Sequence, residues 1–595
     1  MPSYSAPVKD MRFALEALAD YDSIAALPGL EEATWDVVDA VLEEAGKVAS
    51  DLLAPLNASG DAEGARLVDG KVRVAAGWKE AYDEVSAGGW LGLSGDPEYG
   101  GQGLPSTLGA AVTEMWQAAN LAFSLNGLLT QGAMDAIERN GSPQQKEFYL
   151  PRMMTGEWTG TMNLTEPQAG SDLAAIRTRA VPEGDHYRIT GQKIFITYGD
   201  HEMTENIVHL VLARTPDAPE GVKGISLFVV PKFLANADGS LGERNDLRCV
   251  SLEEKLGIHA SPTAVMSFGD NGGAVGYLVG EENRGLEYMF VMMNRARFDV
   301  GLQGLAMAER AYQQALAYAR DRVQGKPLGG QPGAAIVGHP DVRRMLLMMK
   351  SQIEAMRGLA YVCAANMDRA ARAADPGDRA AAQARIEFLT PIVKGWGTEV
   401  GVELTSVGVQ VHGGMGFIEE TGAAQFYRDS RITTIYEGTS GIQANDLVFR
   451  KVLRDGGRVA RDVIGAARDF ANELAPTGGE DFATLRAALT DGVEAAQAAT
   501  DWLLERGAAD PLGPAAAAYS YLRLMGTVLG GHQMARAALA AARKLQDGDG
   551  DADFLRAKIA TARFYASNVM PEARMRLAVI RDGADDIVGF SEDRF

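Results

Sequence analysis

The sequence predicts an α+β multidomain protein with four parts: an N-terminal helical domain, a middle β domain of barrel or sandwich type, a four-helix bundle and an additional C-terminal helical region. Three observations predict it. Apolar residues recur at spacings of three and four from Val8 to about Trp158, as at Val38, Val41, Leu42, Ala45 and Val48. Between about Gly160 and Gly280 the period changes to two or to short apolar runs, and from Gly285 the helical spacing returns. The changes of period place the boundaries at residues 1–158, 159–280, 281–455 and 456–595.

In the first part the run Pro97-Glu98-Tyr99-Gly100-Gly101-Gln102-Gly103 reads as a loop between helices, with glycines suited to positive φ. In the second, strands are expected at residues 186–198, 206–213, 224–231, 264–268 and 275–279, rich in Val, Ile, Thr and aromatics and separated by Gly, Asp and Pro. Helices over 289–323, 342–374, 379–412 and 441–453 have lengths that suit a four-helix bundle. After Gly456-Gly457 the chain is Ala-rich and helical, with breaks at 476–479, 511–514 and 547–550. The acidic run from Asp547 to Asp553 does not make a calcium loop: Ala552 stands where the glycine is required and Lys558 where the bidentate Glu belongs. It reads as a solvated connection.

Bulk properties narrow the function. A chain of 595 residues with 46 % hydrophobic and 23 % charged residues is globular material for about four domain-sized units. No run approaches eighteen uninterrupted apolar residues, and Met1-Pro2-Ser3-Tyr4-Ser5-Ala6 has no basic region followed by an apolar core, so a cytoplasmic protein without a membrane partner is expected. A net charge of −22 argues against nucleic acid, whose affinity comes from Lys and Arg releasing counterions. Cys249 and Cys363 are too few for a disulfide framework and lack metal-ligand spacing, so both are expected as buried apolar residues and no metal site is expected.

The most informative stretch is Arg431-Ile432-Thr433-Thr434-Ile435-Tyr436-Glu437-Gly438-Thr439-Ser440, which sets one carboxylate between a β-branched segment and a glycine turn. Alone, such a Glu is most often a helix-start residue. Upstream, in order, stand Thr161-Met162-Asn163-Leu164-Thr165-Glu166-Pro167-Gln168-Ala169-Gly170-Ser171-Asp172, then Lys193-Ile194-Phe195-Ile196-Thr197, then Gln410-Val411-His412-Gly413-Gly414-Met415-Gly416-Phe417. Together these motifs resemble the acyl-CoA dehydrogenase family, from about residue 80 to residue 450.

Oxidising a saturated thioester between its α and β carbons needs a base for a weak acid and an acceptor for a hydride. Side chains supply the first and not the second, and no Gly-x-Gly-x-x-Gly follows a strand and opens a helix here. The resemblance implies FAD as the acceptor. By it, Leu164, Thr165 and Gly170 lie along the isoalloxazine edge, Ser171 lies near the pyrophosphate, and Phe195 and Thr197 back the ring. Arg322, Gln410, Gly413 and Gly414, with Thr439, are then cofactor contacts, the first four reaching the diphosphate and adenosine of a flavin held mainly by a neighbouring subunit. Two positions depart from the family: Gly325 stands where many members carry Phe after the Arg, and Gly441 replaces a common Gln.

The resemblance also implies that Glu437 is the general base. The family's alternative position for this carboxylate corresponds to Ala296. A dry pocket raises the pKa of such a carboxylate, and docking the thioester carbonyl on the backbone N–H of the same Glu acidifies the α proton. Asn294, Arg297 and Gly438 are the expected substrate contacts, although the spacing of Asn294 and Arg297 equally suits a structural pair on one helix face. Met289, Met292 and Met293 read as core packing, or as the lining of a pocket for a thioether-bearing acyl chain.

The implied enzyme is a homo-oligomer, dimeric or tetrameric, that yields a trans-2-enoyl-CoA and hands electrons to an electron-transferring flavoprotein. Its length and the runs around Asn163 and Ile196 resemble a long subgroup, for which 3-methylmercaptopropionyl-CoA is the expected substrate. Medium- or long-chain acyl-CoA is the alternative. An oxidase and a DNA-associated flavoprotein share the fold. The second fits poorly, because acidic residues outnumber basic ones from Glu480 onward.

Overall fold

The computed structural model describes residues 4–236 and 238–595, so that Met1, Pro2 and Ser3 of the start read above lie outside the described residues. The chain divides into two compact units, one of Lys47–Leu104 and Ala119–Ala296, the other of Met1–Gly46, Pro105–Ala118 and Arg297–Phe595. The helices of the first 158 residues are thus shared between the two.

The first unit is built on a sheet of eight strands among the described residues. Its order is Leu247–Leu252, Thr263–Phe268, His186–Thr197, Ala274–Leu278, Ser226–Pro231, Asn206–Ala213 and Trp158–Asn163, with Arg179–Glu183 pairing beside the long His186–Thr197 strand. Neighbours run antiparallel except Trp158–Asn163, which lies parallel to Asn206–Ala213. The sheet curls about the long strand: residues 187–189 pair with Ala274–Leu278, and residues 191–197 with Thr263–Phe268. Gly191 stands at the changeover, where a Cβ would meet the Thr178 hydroxyl at 2.5 Å.

Asn206–Ala213 and Ser226–Pro231 are buried throughout, which is why they read as continuous apolar runs rather than alternations. One face packs with Leu129, Ile137 and Met153 of the neighbouring helices into a core that includes Leu210, Leu212 and Val229. Met289 and Met292 are fully buried in this core and Met293 packs against it, as the packing reading expects. The stretch expected as wholly helical also contains a hairpin, Arg66–Val68 with Lys71–Arg73. Its turn is Asp69-Gly70 with φ of 51° and 72°, the left-handed pair that matches strand twist.

The second unit packs Gly285–Asp321 from Arg297 onward against Pro340–Arg372 and Pro376–His412. The expected fourth helix is two pieces, Ser440–Asn445 and a π-helical Asp446–Leu453. The later helices include Arg458–Glu473, Glu480–Ala509, Leu512–Asp547, Ala552–Asn568 and Glu572–Asp582. Leu512–Asp547 is buried along most of its length, and Gly526 lets it approach so closely that a Cβ there would fall 2.1 Å from the Trp396 indole.

A buried ionic cluster joins distant parts of this unit. Arg357 donates to Glu114 (2.6 and 3.0 Å), Glu309 (2.8 Å) and Asp10 (2.7 Å), while Tyr361 donates to Glu114 at 2.8 Å. Lys558 pairs with Asp10 and, at 3.1 Å, with Glu354. The acidic run is capping material: Gly548 closes one helix in the left-handed region, and the Asp551 side chain accepts from the N–H groups of Asp553 and Phe554. No group of metal-ligating side chains occurs among the described residues, and Cys249 and Cys363 are buried and free.

Candidate active site

Residues 431–434 form a 3-10 turn and not a strand, so the β-branched run does not make Glu437 the end of a sheet. Nor is Glu437 a helix-start residue. Thr439 caps the Ser440–Asn445 helix, its Oγ1 accepting from the Ile442 N–H at 3.2 Å. Glu437 itself has φ 54°, followed by Gly438 at 91°. A non-glycine residue in the left-handed region costs roughly 1–2 kcal/mol, so neighbouring groups must hold it. Gln443 donates from Nε2 to the Glu437 carbonyl at 3.1 Å, and Lys394 donates from Nζ to the Gly438 carbonyl at 2.6 Å. Ser440 donates its hydroxyl to Glu399.

Glu437 keeps part of its surface open, but its carboxyl is packed closely enough that desolvation raises its pKa above the ordinary value; Arg297 and Lys394 oppose the shift. Arg297 is buried on the Gly285–Asp321 helix, and desolvation lowers its pKa against the pull of Asp446 and Glu437. Lys394 is fully buried on the Pro376–His412 helix, and desolvation brings it down to about 7. The sequence reading did not single out Lys394. Its signal was a lone cation in the apolar run Ile392-Val393-Lys394-Gly395-Trp396.

At the C-terminal end of the Pro376–His412 helix stand Gln410, Gly413 and Gly414, three of the four expected diphosphate residues. Tyr318 stacks against His412 with ring centroids 4.6 Å apart, and the Arg322 N–H bonds the Tyr318 carbonyl at 2.8 Å, bringing Arg322 to the end where the helix stops at Gly413. Arg322, Gln410, Gly413 and Gly414 are all exposed. The Gly413 N–H is spent on the Gln410 carbonyl, closing the helix. What the glycine pair offers is room, since a Cβ at Gly413 or Gly414 would meet no atom within 4 Å.

In the other unit, Leu164, Thr165, Phe195 and Thr197 come together. The Ile194 N–H bonds the Thr165 carbonyl at 2.9 Å, Lys193 donates to the Leu164 carbonyl at 3.0 Å, and Thr161 donates to the Thr197 carbonyl at 2.7 Å. A bulge opposite Ala264 and Met266 gives Phe195 a φ of 60° and leaves its ring 59 % exposed. The loop beyond Leu164 is braced by Glu166, which accepts from Lys193, from Thr178 and from the Arg177 N–H. Desolvation would raise this carboxyl, but the Lys193 charge and the donors hold it near 2. Gly170 has open space around it, and Ser171 beside it is exposed. Asn294 is exposed on its helix.

Taken by itself, the β-domain surface offers an exposed aromatic ring raised on a bulge, of a kind suited to a flat ring system, and an unobstructed glycine–serine edge. Taken by itself, the bundle end offers a glycine pair without steric cover and an exposed guanidinium, chemistry suited to a phosphate.

Comparison with known proteins agrees along the chain. Family models match in chain order: acyl-CoA dehydrogenase, N-terminal domain, residues 39–157; middle domain, 161–271; C-terminal domain, 283–451; and acetyl-CoA dehydrogenase C-terminal like, 463–591. The 3-methylmercaptopropionyl-CoA dehydrogenase of Ruegeria pomeroyi is 52 % identical over 589 residues, covering 98 % of this chain and 99 % of its own. A butyryl-CoA dehydrogenase of Syntrophomonas wolfei is 35 % identical, covering 100 % of this chain and 99 % of its own. Among solved structures, Caenorhabditis elegans ACDH-11 in complex with C11-CoA shares the fold, with a TM-score of 0.77 at 20 % identity over 96 % of this chain and 92 % of that one.

Proposed function

We propose, since the chain belongs to the acyl-CoA dehydrogenase family and is an FAD-dependent enzyme that dehydrogenates acyl-CoA thioesters, that Glu437 is its base and 3-methylmercaptopropionyl-CoA its substrate. The observation that carries the first half is the Glu437 carboxyl itself. It is raised in basicity by burial, fixed on a left-handed turn and flanked by two cations that keep its ionised form accessible. The alternative position is the fully apolar, buried Ala296.

Glu437 removes the α proton of the thioester. A positive φ turns the Glu437 backbone out of the helical run, so that its N–H serves as one donor to the thioester carbonyl. Negative charge developing on that oxygen is then stabilised by a group already in place. Arg297 and Asn294 hold the carrier end of the substrate, and Gly438 leaves room beside the base. When bound, FAD would supply the acceptor for the β hydride. Leu164, Thr165, Gly170, Ser171, Phe195 and Thr197 would hold it on the β domain, and Arg322, Gln410, Gly413, Gly414 and Thr439 would do so on the bundle. The enzyme acts as a homo-oligomer that shares the FAD across subunits and passes electrons to an electron-transferring flavoprotein. Its site of action is the cytoplasm. No helix among the described residues is long and apolar enough to cross a membrane.

The thioether substrate is supported by the 52 % identity to the Ruegeria protein over nearly the whole chain. A spectral titration of flavin bleaching against a panel of acyl-CoAs tests it. The expected result is a kcat/KM for 3-methylmercaptopropionyl-CoA at least equal to that for butyryl-CoA and well above that for long chains. A steady rise toward twelve or sixteen carbons would assign the enzyme to fatty acyl-CoA.

A further inference from the structure

The helices after residue 456 lie outside the motifs that carry the chemistry, yet one of them reaches the catalytic turn. Tyr519, on the Leu512–Asp547 helix, donates its hydroxyl to Glu399 Oε2 at 3.1 Å. The other Glu399 oxygen accepts from the buried Ser440 hydroxyl, the first residue of the helix that the catalytic turn opens. Earlier on the helix that carries Glu399, Lys394 grips the Gly438 carbonyl. The turn is therefore held from one helix at two points, and the second point is held in turn from the C-terminal region.

The register that makes this contact is fixed. Arg523, one turn beyond Tyr519, pairs with Glu403 at 2.7 Å. Leu522 lies where a Cβ on Gly395 would fall 2.5 Å from its methyl group, and Gly526 lies against Trp396. Side chains on both sides thus determine which residue of the long helix meets Glu399. Tyr519 is itself exposed, and its bond matters because the other oxygen of Glu399 accepts from the buried Ser440.

We propose that the C-terminal helical region is a positioning element of the active site, acting through Tyr519 and Glu399 on Ser440 and so on the turn that presents Glu437. The inference rests on Glu437 being the base. Charge travels the same route. Glu437 is faced by Arg297 and Lys394; Lys394 by Arg297, Glu437 and Glu399; Glu399 by Ser440 and Tyr519. The Glu399 carboxylate favours the charged form of Lys394, and that cation favours the ionised form of Glu437.

The test uses the full-length holoenzyme and measures the rate of flavin reduction per bound flavin by rapid mixing at saturating thioester. Tyr519→Phe keeps the ring and removes the donor. The rate should fall roughly three- to tenfold, the scale of one ordinary net hydrogen bond, with flavin content, thermal midpoint and thioester KM unchanged. Glu399→Gln should lower the rate at least as much and move the acid limb of the rate–pH profile upward. Adding Tyr519→Phe to Ser440→Ala should cost nothing further, because the relay is already cut. A wild-type rate in Tyr519→Phe would overturn the proposal whatever Glu399→Gln does, and a wild-type rate in Glu399→Gln would equally do so. So would losses confined to flavin content or thermal midpoint with the rate per flavin intact. Glu437→Gln in the same assay separates the two readings: an active Glu437→Gln enzyme removes the base assignment, whereas an inactive one with an unaffected Tyr519→Phe removes only the positioning role.

Discussion

Gln443 donates from Nε2 to the carbonyl oxygen of Glu437 at 3.1 Å, from the first helix after the turn back to the residue that opens it. With this bond and the one from Lys394 to Gly438, consecutive carbonyls of the Glu437–Gly438 turn are each tied to a side chain. The left-handed backbone at Glu437 is thereby offset locally, while Arg297 and Lys394 oppose the rise that desolvation gives its carboxyl pKa.

Glu437→Gln is nearly isosteric and should leave fold and flavin spectrum intact. Reduction of the flavin by thioester should fall by at least ~10²–10⁴, the factor typical of general-base catalysis. Single-turnover bleaching measures it directly, and near wild-type bleaching would exclude Glu437 as the base.

Burial raises the Glu437 pKa, and the base works only when ionised. The rate should therefore climb with pH through a limb that lies above the ordinary carboxylate range. The stability effect follows the same sign. The folded state holds this proton more tightly than the unfolded chain, so the associated stability is present below the ordinary Glu value and is lost as pH rises through the folded-state value. Glu437→Gln should consequently raise the thermal midpoint relative to wild type at pH 8 and do so less at pH 4.5. An equal difference at both pH values would mean that the carboxyl is not desolvated.

Arg322 is exposed at the end of its helix, brought beside Gly413 by the contact of Tyr318 with His412. A guanidinium meets two phosphate oxygens bidentately, whereas an ammonium acts as a point charge. Arg322→Ala should weaken FAD retention on gel filtration, and Arg322→Lys should recover it only in part. If the cofactor is shared, flavin loss and subunit dissociation should coincide on dilution. Full occupancy in the Ala variant, or a flavin-saturated monomer by light scattering, would rule out a shared site.

The Arg357 cluster uses none of the candidate site's residues but ties together distant segments of its unit. Glu114 is fully buried and meets Arg357 and Tyr361, so Glu114→Ala leaves a buried guanidinium short of its main partner. Breaking such a pair costs about 3–5 kcal/mol. The denaturant midpoint should fall accordingly, with the flavin spectrum of the remaining folded protein unchanged. A cost below about 1 kcal/mol would show that Glu309 and Asp10 compensate.

Much of this architecture is legible in the chain. The strand at 206–213 coincides with the expected bounds, because a fully buried strand is written as a mainly apolar run, here interrupted by the buried His209. The hairpin at residues 66–73 escaped a reading based on helical spacing, although Asp69-Gly70 carries the turn signal. The β-branched run before Glu437 misleads in the opposite direction: Ile432, Thr433 and Thr434 favour a strand locally, but packing folds them into a 3-10 turn.

The sequence by itself determined the order of the helical and β regions, the family and which carboxylate is proposed as the base, because period and motif are properties of near neighbours along the chain. Only the tertiary structure decided how that carboxylate is held and charged. Lys394 reaches Gly438 across 44 residues and Tyr519 reaches Glu399 across 120, and no local pattern encodes such a pairing. The physical reason is that a buried group takes its pKa and its backbone geometry from whatever packs around it, and those neighbours are chosen by the fold and not by the adjacent sequence.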